Sequence, residues 1–355
     1  MTGSGSGATP RPETLMAREA REAPARCVEQ LRSNADLVRE AGRQLRALAP
    51  PFAATLARGS SDQAAAFAKF LFETHGGMPT LSHAPSTGSL YHATSPNFRG
   101  VPLIAISQSG RSPDLLAAAD DARAKGAVIV ALVNDASSPL AERAQIFVPV
   151  QAGPETSVAA TKSFICTLVA SLHLAAEWSQ DVGLLGALGD VGAVLEAAAG
   201  ADWTAAVEPL RDASEMLVLG RGPTLPIAGE AALKLKETCN LHAEAFSSAE
   251  VAHGPMTLVG PGDPVLALAP LDIARTGLRE RLEDFAARGA TVIAAGSADD
   301  VAPAAIVLPM RTDVHPALAA IAQIQSFYGL ANALSLARGY DPDRPPHLNK
   351  VTRTL

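Results

Sequence analysis

The stretch Pro102-Leu-Ile-Ala-Ile-Ser-Gln-Ser-Gly-Arg-Ser112 joins a short apolar run to a serine-rich loop. Its apolar half recurs later in the chain as Pro264-Val-Leu-Ala-Leu268. Two further pairs of segments match at nearly the same offset: Leu56–Gly59 with Leu219–Gly222, and Ala124–Ile129 with Ala287–Val292. Several matches at nearly one offset predict a duplicated domain of roughly 150 residues.

Each copy alternates short apolar runs with helix-forming segments such as Ser112–Lys125 and Leu278–Arg288. Strands of nearly continuous Val, Ile and Leu that alternate with helices predict parallel sheets covered by helices on both faces. The sequence therefore predicts an α/β fold of two similar domains. The predicted strands are Phe52–Ala57, Leu103–Ser107, Val128–Val133 and Ile146–Val150 in the first copy, and Met216–Gly220, Val265–Ala269, Thr291–Ala295 and Ala305–Leu308 in the second.

Composition excludes several classes of protein. The 355 residues are 48% apolar and 18% charged, which is enough for a large core. A net charge of −7 without a Lys/Arg run argues against a nucleic-acid partner, and no uninterrupted apolar run reaches ~18 residues, so no membrane span is expected. Three widely spaced cysteines and the lack of a secretory signal indicate a cytoplasmic protein without a metal site.

Hydroxyl side chains follow two strands of the first copy. Gly59-Ser60-Ser61 comes after the first strand, and Ser107-Gln108-Ser109-Gly110-Arg111-Ser112 comes after the next long apolar run. Each loop opens a predicted helix, whose free N–H groups and dipole attract anions, so the pair predicts a phosphate site. The alternative is that these serines only cap the helices. The second copy has Ala269-Pro270-Leu271 at the corresponding position.

The second copy carries a dense group of ionisable residues. Glu230, Lys234 and Glu237 are spaced to share one face of a helix that is otherwise largely apolar. A surface ion-pair ladder is one interpretation. A partly buried acid and lysine suited to moving a proton is the other. His253 stands in a predicted turn, where a functional histidine is as plausible as a structural one.

Six segments of the chain carry a resemblance to a known family: Ser107–Ser112, Ala152–Phe164, Gly229–Glu237, His242–Ala245, Ala252–Pro255 and the tail Pro345–Thr352. Together they resemble the double sugar-isomerase (SIS) domain family, in particular the isomerase half of glutamine–fructose-6-phosphate aminotransferase. The resemblance covers residues 16–355 and implies two tandem three-layer, flavodoxin-like domains. The domain boundaries that it implies are a disordered start (1–15), a helical lead-in (16–50), a first SIS domain (51–185), a second (205–338) and a tail over the active site (339–355).

The resemblance also implies roles for single residues. Glu237 matches the base that moves a proton between C1 and C2 of the sugar, and Lys234 matches its neighbouring lysine. His253 matches a ring-opening histidine that reaches in from the second subunit of a homodimer. Lys350 matches a tail lysine that forms a Schiff base, in a tail that is one residue shorter than usual. The implied substrate-binding residues are Ser60, Ser61, Ser107, Gln108, Ser109, Ser112, Val158 and Ala159; neither metal nor cofactor is implied.

One departure from that family bears on the reaction. Only the short segment before Met16 precedes the SIS region and it contains no Cys, so the glutaminase domain of the aminotransferase is not expected. A free-standing double SIS protein resembles the deaminases that convert glucosamine 6-phosphate to fructose 6-phosphate and ammonia. The alternatives are another sugar-phosphate isomerase, a fructosamine-6-phosphate deglycase, a galactosamine-6-phosphate deaminase, or a sugar-phosphate sensor without turnover.

Overall fold

Two five-stranded parallel sheets lie within the described part of the chain, residues 13–91, 97–348 and 350, of this computed structural model. Both sheets have the same strand order, 2-1-3-4-5 counted from the first strand of each, which is the flavodoxin-like order. The first sheet is β2 (Thr80–Ser82), β1 (Ala53–Leu56), β3 (Pro102–Ser107), β4 (Val128–Val133) and β5 (Ile146–Pro149); the second is β7 (His242–Ser247), β6 (Glu215–Gly220), β8 (Pro264–Leu268), β9 (Thr291–Ala295) and β10 (Ile306–Leu308).

All eight predicted strands are present, and the predicted α/β fold with a duplicated domain is confirmed. The sequence pattern missed β2 and β7. In each sheet the missed strand is at an edge, and its side chains are half exposed rather than continuously apolar. The helices are α1 (Leu15–Leu48), α2 (Ser60–Gly76), α3 (Pro85–Ser89), α4 (Pro113–Ala124), α5 (Pro139–Arg143), α6 (Lys162–Ser179), α7 (Val182–Ala199), α8 (Val207–Leu210), α9 (Leu225–Cys239), α10 (Leu278–Ala287), α11 (Ala298–Val301) and α12 (Pro316–Ala337).

Successive residues of each strand point into different cores. In β3, Ile104 and Ile106 face a large central core, whereas Leu103 and Ala105 face a separate core under α4. The second sheet divides in the same way, with its outer core under α10. The central core is shared by both sheets and is filled by α1, α2, α6, α7, α9 and α12. The two domains therefore bury one common interior.

Helix α1 crosses this central region and contains a proline in mid-helix. Thr14 caps its start by accepting a hydrogen bond from the Ala17 N–H. Pro24 has no N–H to donate to the Ala20 carbonyl, four residues earlier, a defect that normally weakens a helix. The Gln325 side chain of α12 donates to that carbonyl at 3.0 Å instead. The hydrogen bond from Gln325 to the Ala20 carbonyl thus joins the helical lead-in to the second domain.

The start and end of the chain lie partly outside the described residues. Residues 1–12 of the predicted disordered start do so, as do residue 349 and residues 351–355 of the tail. In the described region, α7 is the one helix long and apolar enough to cross a membrane by length and composition, and it packs on α1 and α12. The cytoplasmic location stays a prediction.

Gly42 of α1 lies where this helix packs closely on α6. A Cβ on Gly42 would lie 2.6 Å from the backbone carbonyl of Glu177. Alanine normally stabilises a helix interior by about 0.5–1 kcal/mol relative to glycine. We nevertheless expect Gly42→Ala to lower the free energy of unfolding, by about 1–3 kcal/mol, because the clash involves backbone.

The matched control is Gly186→Ala in α7, where a Cβ meets nothing within 4 Å. It should raise the midpoint of thermal unfolding. If Gly42→Ala raised it as well, the close approach of α1 to α6 would be wrong.

Candidate active site

Two loops meet at the carboxyl edge of the first sheet, where β1 and β3 are neighbours. The strand order reverses at this point, and such switch points are where open parallel sheets bind ligands. The loop after β1 turns through Gly59, whose φ of 57° is in the left-handed region, and leads directly into α2 at Ser60. The loop after β3 leads into α4 at Ser112. The N-termini of two helices therefore face one space.

The Ser107–Ser112 loop is built to present N–H and hydroxyl groups. The Ser107 hydroxyl accepts a hydrogen bond from the Gly110 N–H at 3.0 Å. Gly110 has a φ of 63°, and a Cβ there would lie 2.3 Å from the Ser138 Oγ, so the tight turn requires glycine. Ser112 occupies the N-cap position of α4, but its side chain makes no capping hydrogen bond. The structure therefore does not support the alternative that Ser112 only caps its helix.

A buried lysine stands opposite, on α9. The Lys234 side chain is 1% exposed and its Nζ lies 2.6 Å from Glu237 Oε2 and 3.3 Å from Glu230 Oε1. It also donates to the Ser60 hydroxyl at 3.0 Å. The helical spacing of these three charged residues produces the two contacts within α9, and the third crosses to the first domain. The surface ion-pair ladder is thus the wrong interpretation of this segment.

Burial changes the protonation of this group. It is the main cause that raises the pKa of Glu230 to about 7; the charge of Glu237 adds to the effect and Lys234 opposes it. Burial alone would lower the pKa of Lys234, but the two carboxylates outweigh it and raise that pKa. Tyr328 donates to Glu230 Oε1 at 3.1 Å, and burial together with Glu230 raises the pKa of this phenol well above 10. Glu237 and Lys234 both line the cleft between α9 and the serine loops, and Glu237 is the more exposed of the two, with a side chain 23% exposed.

The chain's tail reaches the same space. The Lys350 Nζ donates to the Ser157 carbonyl at 2.7 Å and lies 3.2 Å from Glu155 Oε2. Burial acts to raise the pKa of Glu155, but Lys350 and the donors of Thr161 and Ser163 outweigh it and lower that pKa. Glu155 is thus a buried carboxylate held ionised beside the tail lysine.

Helix α1 and the tail hold the loop that receives Lys350. Glu19 of α1 accepts hydrogen bonds from the Thr156 and Ser157 N–H groups at 2.6 and 3.2 Å. In the tail, the Asp343 carboxylate accepts from the first two N–H groups of α1 at 2.7 and 2.8 Å, and its carbonyl accepts from the Val158 N–H at 3.4 Å. The lead-in helix therefore positions this wall of the site.

These parts enclose a cleft of about 380 Å³, a size within the ~300–1,000 Å³ of small-molecule sites. Sequence reasoning missed several of its lining residues, including Arg58, Leu115 and Leu348. Ala159 is buried, and Ala160 lines the cleft in its place. The sequence-predicted residues that line it are Ser60, Ser61, Ser107, Gln108, Ser109, Ser112, Val158, Lys234, Glu237 and Lys350.

His253 is not brought to this cleft by its own chain. It ends a short 3₁₀ turn, Glu250–His253, that follows the edge strand β7, and its side chain is exposed. Over the described ranges no group of three or more His, Cys, Asp or Glu residues is placed to hold a metal ion. The role of His253 and its approach from a second subunit stay predictions.

The raised pKa of Glu230 predicts a pH effect on stability. The folded chain holds this proton up to about pH 7, whereas an unfolded glutamate loses it near pH ~4.3. The resulting stabilisation is complete below the unfolded value and is lost as the pH rises through 7. Relative to Glu230→Gln, the wild-type free energy of unfolding should fall by about 1–3 kcal/mol between pH 5 and 8 in urea titrations. Parallel pH profiles of the two proteins would contradict this assignment.

Comparison with known proteins places the chain. The sequence profile of the SIS domain matches it twice, over residues 53–177 and 209–334. A glutamine–fructose-6-phosphate aminotransferase (isomerizing) of Bradyrhizobium diazoefficiens is 34% identical over 312 residues, which cover 82% of this chain and 50% of that protein. A Thermococcus kodakarensis enzyme of the same name is 34% identical over 259 residues, 70% of this chain and 43% of its own. The chain spans about half the length of these curated relatives.

Solved structures agree with this placement. A candidate phosphosugar isomerase from Silicibacter pomeroyi is 42% identical with a TM-score of 0.87, and the match covers 93% of this chain and 100% of that one. The C-terminal domain of the glucosamine–fructose-6-phosphate aminotransferase from Francisella tularensis is 25% identical with a TM-score of 0.83, over 96% and 100% of the two chains. Since the SIS profile matches well over half of its residues, the chain belongs to the SIS domain family, with two consecutive SIS domains.

Proposed function

We propose that this protein converts glucosamine 6-phosphate to fructose 6-phosphate and ammonia. The observation that carries the proposal is the convergence of Glu237, Lys234 and Lys350 on one cleft with the serine loop after β3. Such a cleft offers an acid–base group, an amine and an anion site within the reach of one hexose phosphate. The relatives that resemble the chain are named as aminotransferases of fructose 6-phosphate.

The phosphate belongs at the serine loop. The hydroxyls of Ser109 and Ser112, the N–H groups of the loop and the N-terminus of α4 are donors suited to a dianion, and Ser60 and Ser61 face them from α2. This arrangement holds the sugar by one end and directs C1 and C2 toward α9. Fixing the reacting carbons beside a base is the main entropic contribution that such a site makes.

Glu237 is the proposed base. In the open-chain sugar its carboxylate takes the proton from C2, which carries the amino group, and returns it to C1. C2 is then a ketimine, and its overall hydrolysis gives fructose 6-phosphate and ammonia. The Lys234 ammonium, 2.6 Å from Glu237 Oε2, holds this carboxylate in position by an ion pair.

Lys350 is the proposed amine for the second half of the reaction. Its nitrogen would attack the C2 ketimine, expel ammonia and form a Schiff base, which water then hydrolyses to the ketone. The attack requires a neutral amine, so the Lys350 ammonium first gives its proton to the ketimine nitrogen, which then leaves as ammonia. The contact with Glu155, 3.2 Å from the Lys350 Nζ, holds the lysine at the cleft.

Ammonia release tests the proposal directly. Glucosamine 6-phosphate is supplied without glutamine, and ammonia is followed through glutamate dehydrogenase. Glu237→Gln should lower turnover by about 10²–10⁴-fold while the sugar phosphate still raises the midpoint of thermal unfolding. The matched control is Glu244→Gln, an exposed glutamate of β7 outside the cleft, which should retain full activity. An active Glu237→Gln enzyme would remove Glu237 from the base role.

A second candidate is the interconversion of an aldose phosphate and a ketose phosphate without loss of nitrogen. It is favoured by the 42% identity to the candidate phosphosugar isomerase of Silicibacter pomeroyi. The same carboxylate would move the same proton, so the amino group alone distinguishes the two reactions. Sugar-phosphate binding with no ammonia released would favour this candidate, a deglycase, a galactosamine 6-phosphate substrate or a sensor.

We further propose a homodimer in which His253 opens the sugar ring in the partner's cleft. The cleft-lining residues that the structure describes include no histidine. The exposed turn that carries His253 is followed by Leu258, which is 66% exposed and is the kind of apolar side chain that a subunit contact covers.

Mixing two inactive variants tests this sharing. His253→Ala and Glu237→Gln are each expected to be inactive. After subunit exchange, half of the dimers are mixed and each contains one intact site, so about a quarter of wild-type activity should return. No recovery, with exchange confirmed by size and labelling, would mean that His253 does not act across a dimer.

A further inference from the structure

Arg58 lines the cleft but has no part in the steps above. It lies in the loop between β1 and α2, next to Gly59, and its side chain is 52% exposed. The serine loops could be predicted from the sequence because several hydroxyl side chains cluster there. A lone arginine after a strand gave no such signal, so its position is known only from the folded chain.

Its guanidinium is fixed to the start of α4. Arg58 Nε donates to Oδ2 of Asp114 at 3.0 Å, and Nη2 forms an ion pair with the same oxygen at 2.9 Å. Asp114 is 2% exposed, and its other oxygen accepts from the Leu115 N–H at 2.8 Å. The buried aspartate thus orients the arginine while leaving Nη1 outside the contact. Asp114 stands two residues after Ser112, so the cation is held beside the proposed phosphate loop.

The other cationic side chains that line the cleft are bonded to other residues. Lys234 is bonded to Glu237 and Ser60, and Lys350 to Glu155 and Ser157. Both are the proposed groups for the carbon chemistry. The donors described so far at the serine loop are hydroxyls and N–H groups, which carry no full charge. The negative charge of a dianionic phosphate bound there is compensated best by a guanidinium, whose planar set of donors matches phosphate oxygens.

We propose that Arg58 binds the phosphate of the substrate and makes the cleft select phosphorylated over neutral sugars. Asp114 is then a positioning residue that acts through Arg58. The competing explanation is that Arg58 only neutralises a buried carboxylate, while the serine loop binds phosphate unaided. The nearby Asp62, whose pKa is raised by burial and lowered in part by Arg58, adds to the negative charge that such neutralisation would offset. The identity of the sugar rests on the proposed function, but the phosphate contact does not.

A set of variants separates the two explanations. Arg58→Met keeps the aliphatic stem and removes the charge, and Arg58→Lys keeps the charge without the planar donors. Asp114→Asn and the double variant Arg58→Met/Asp114→Asn remove the carboxylate that Arg58→Met would leave buried and unpaired. The matched control is Arg123→Met, an exposed arginine on the outer side of α4 that pairs with Asp120.

Titration with inorganic phosphate, by calorimetry and thermal unfolding on the full chain, is the primary measurement. Arg58→Met should weaken phosphate binding about 10- to 100-fold, the size expected for losing a charge-assisted hydrogen bond, and Arg58→Lys should lie between. The double variant should stay as weak as Arg58→Met. With a turned-over sugar phosphate, KM should rise by the same factor and kcat should change less than twofold.

Wild-type affinity in the double variant would overturn the proposal, because Arg58 would then serve only to balance Asp114. Unchanged affinity in Arg58→Met, or no phosphate binding by the wild type, would overturn it as well. Phosphate binding that depends on Arg58, without ammonia release from any amino-sugar phosphate, would leave this inference standing and count against the proposed deaminase.

Discussion

The buried ammonium of Lys234 is the interaction on which the site depends. Taking such a charge out of water costs several kcal/mol unless its neighbours compensate. Here two carboxylates, Glu230 and Glu237, lie within 3.3 Å and the Ser60 hydroxyl accepts at 3.0 Å. Because Ser60 belongs to the first domain and Lys234 to the second, the cation is fully satisfied only when the domains are docked. Assembly of the site and packing of the two domains are therefore one event.

The sequence predicted the central strands because burial on both faces leaves a plain signature of continuous apolar residues. It could not predict β2 and β7, since an edge strand such as β7 exposes His242 and Glu244. The serine loops and α9 were predicted because their residues are close together in sequence. Glu155 was not, because its importance comes from Lys350, 195 residues away. Arg58 was missed for the same reason, since Asp114 lies 56 residues beyond it.

The two copies of the domain have the same topology, but the residues at the carboxyl edges of their sheets differ. Gly59 and Gly222 both have a φ of 57° after the first strand of their sheets, so the turn itself is retained. At the end of β8, however, the chain continues with Ala269, which is fully buried and whose carbonyl accepts from the Gln323 side chain at 2.8 Å. That edge is closed by packing. In the proposed function the first copy provides the anion site, and the second provides the helix with the acid and the lysine.

The bond between the Asp343 carboxylate and the first N–H groups of α1 has a consequence for synthesis of the protein. Domains begin to fold from the N-terminus while the ribosome still adds residues at about 5–20 per second. Helix α1 is made first, yet the hydrogen bond of its Leu15 N–H can form only after Asp343, 328 residues further along the chain, has been synthesised. The cleft is likewise incomplete until Lys350 has been added. A nascent chain can therefore complete its first sheet while the ends of α1 and of the cleft still lack their partners from the tail, so the proposed reaction requires a fully synthesised chain.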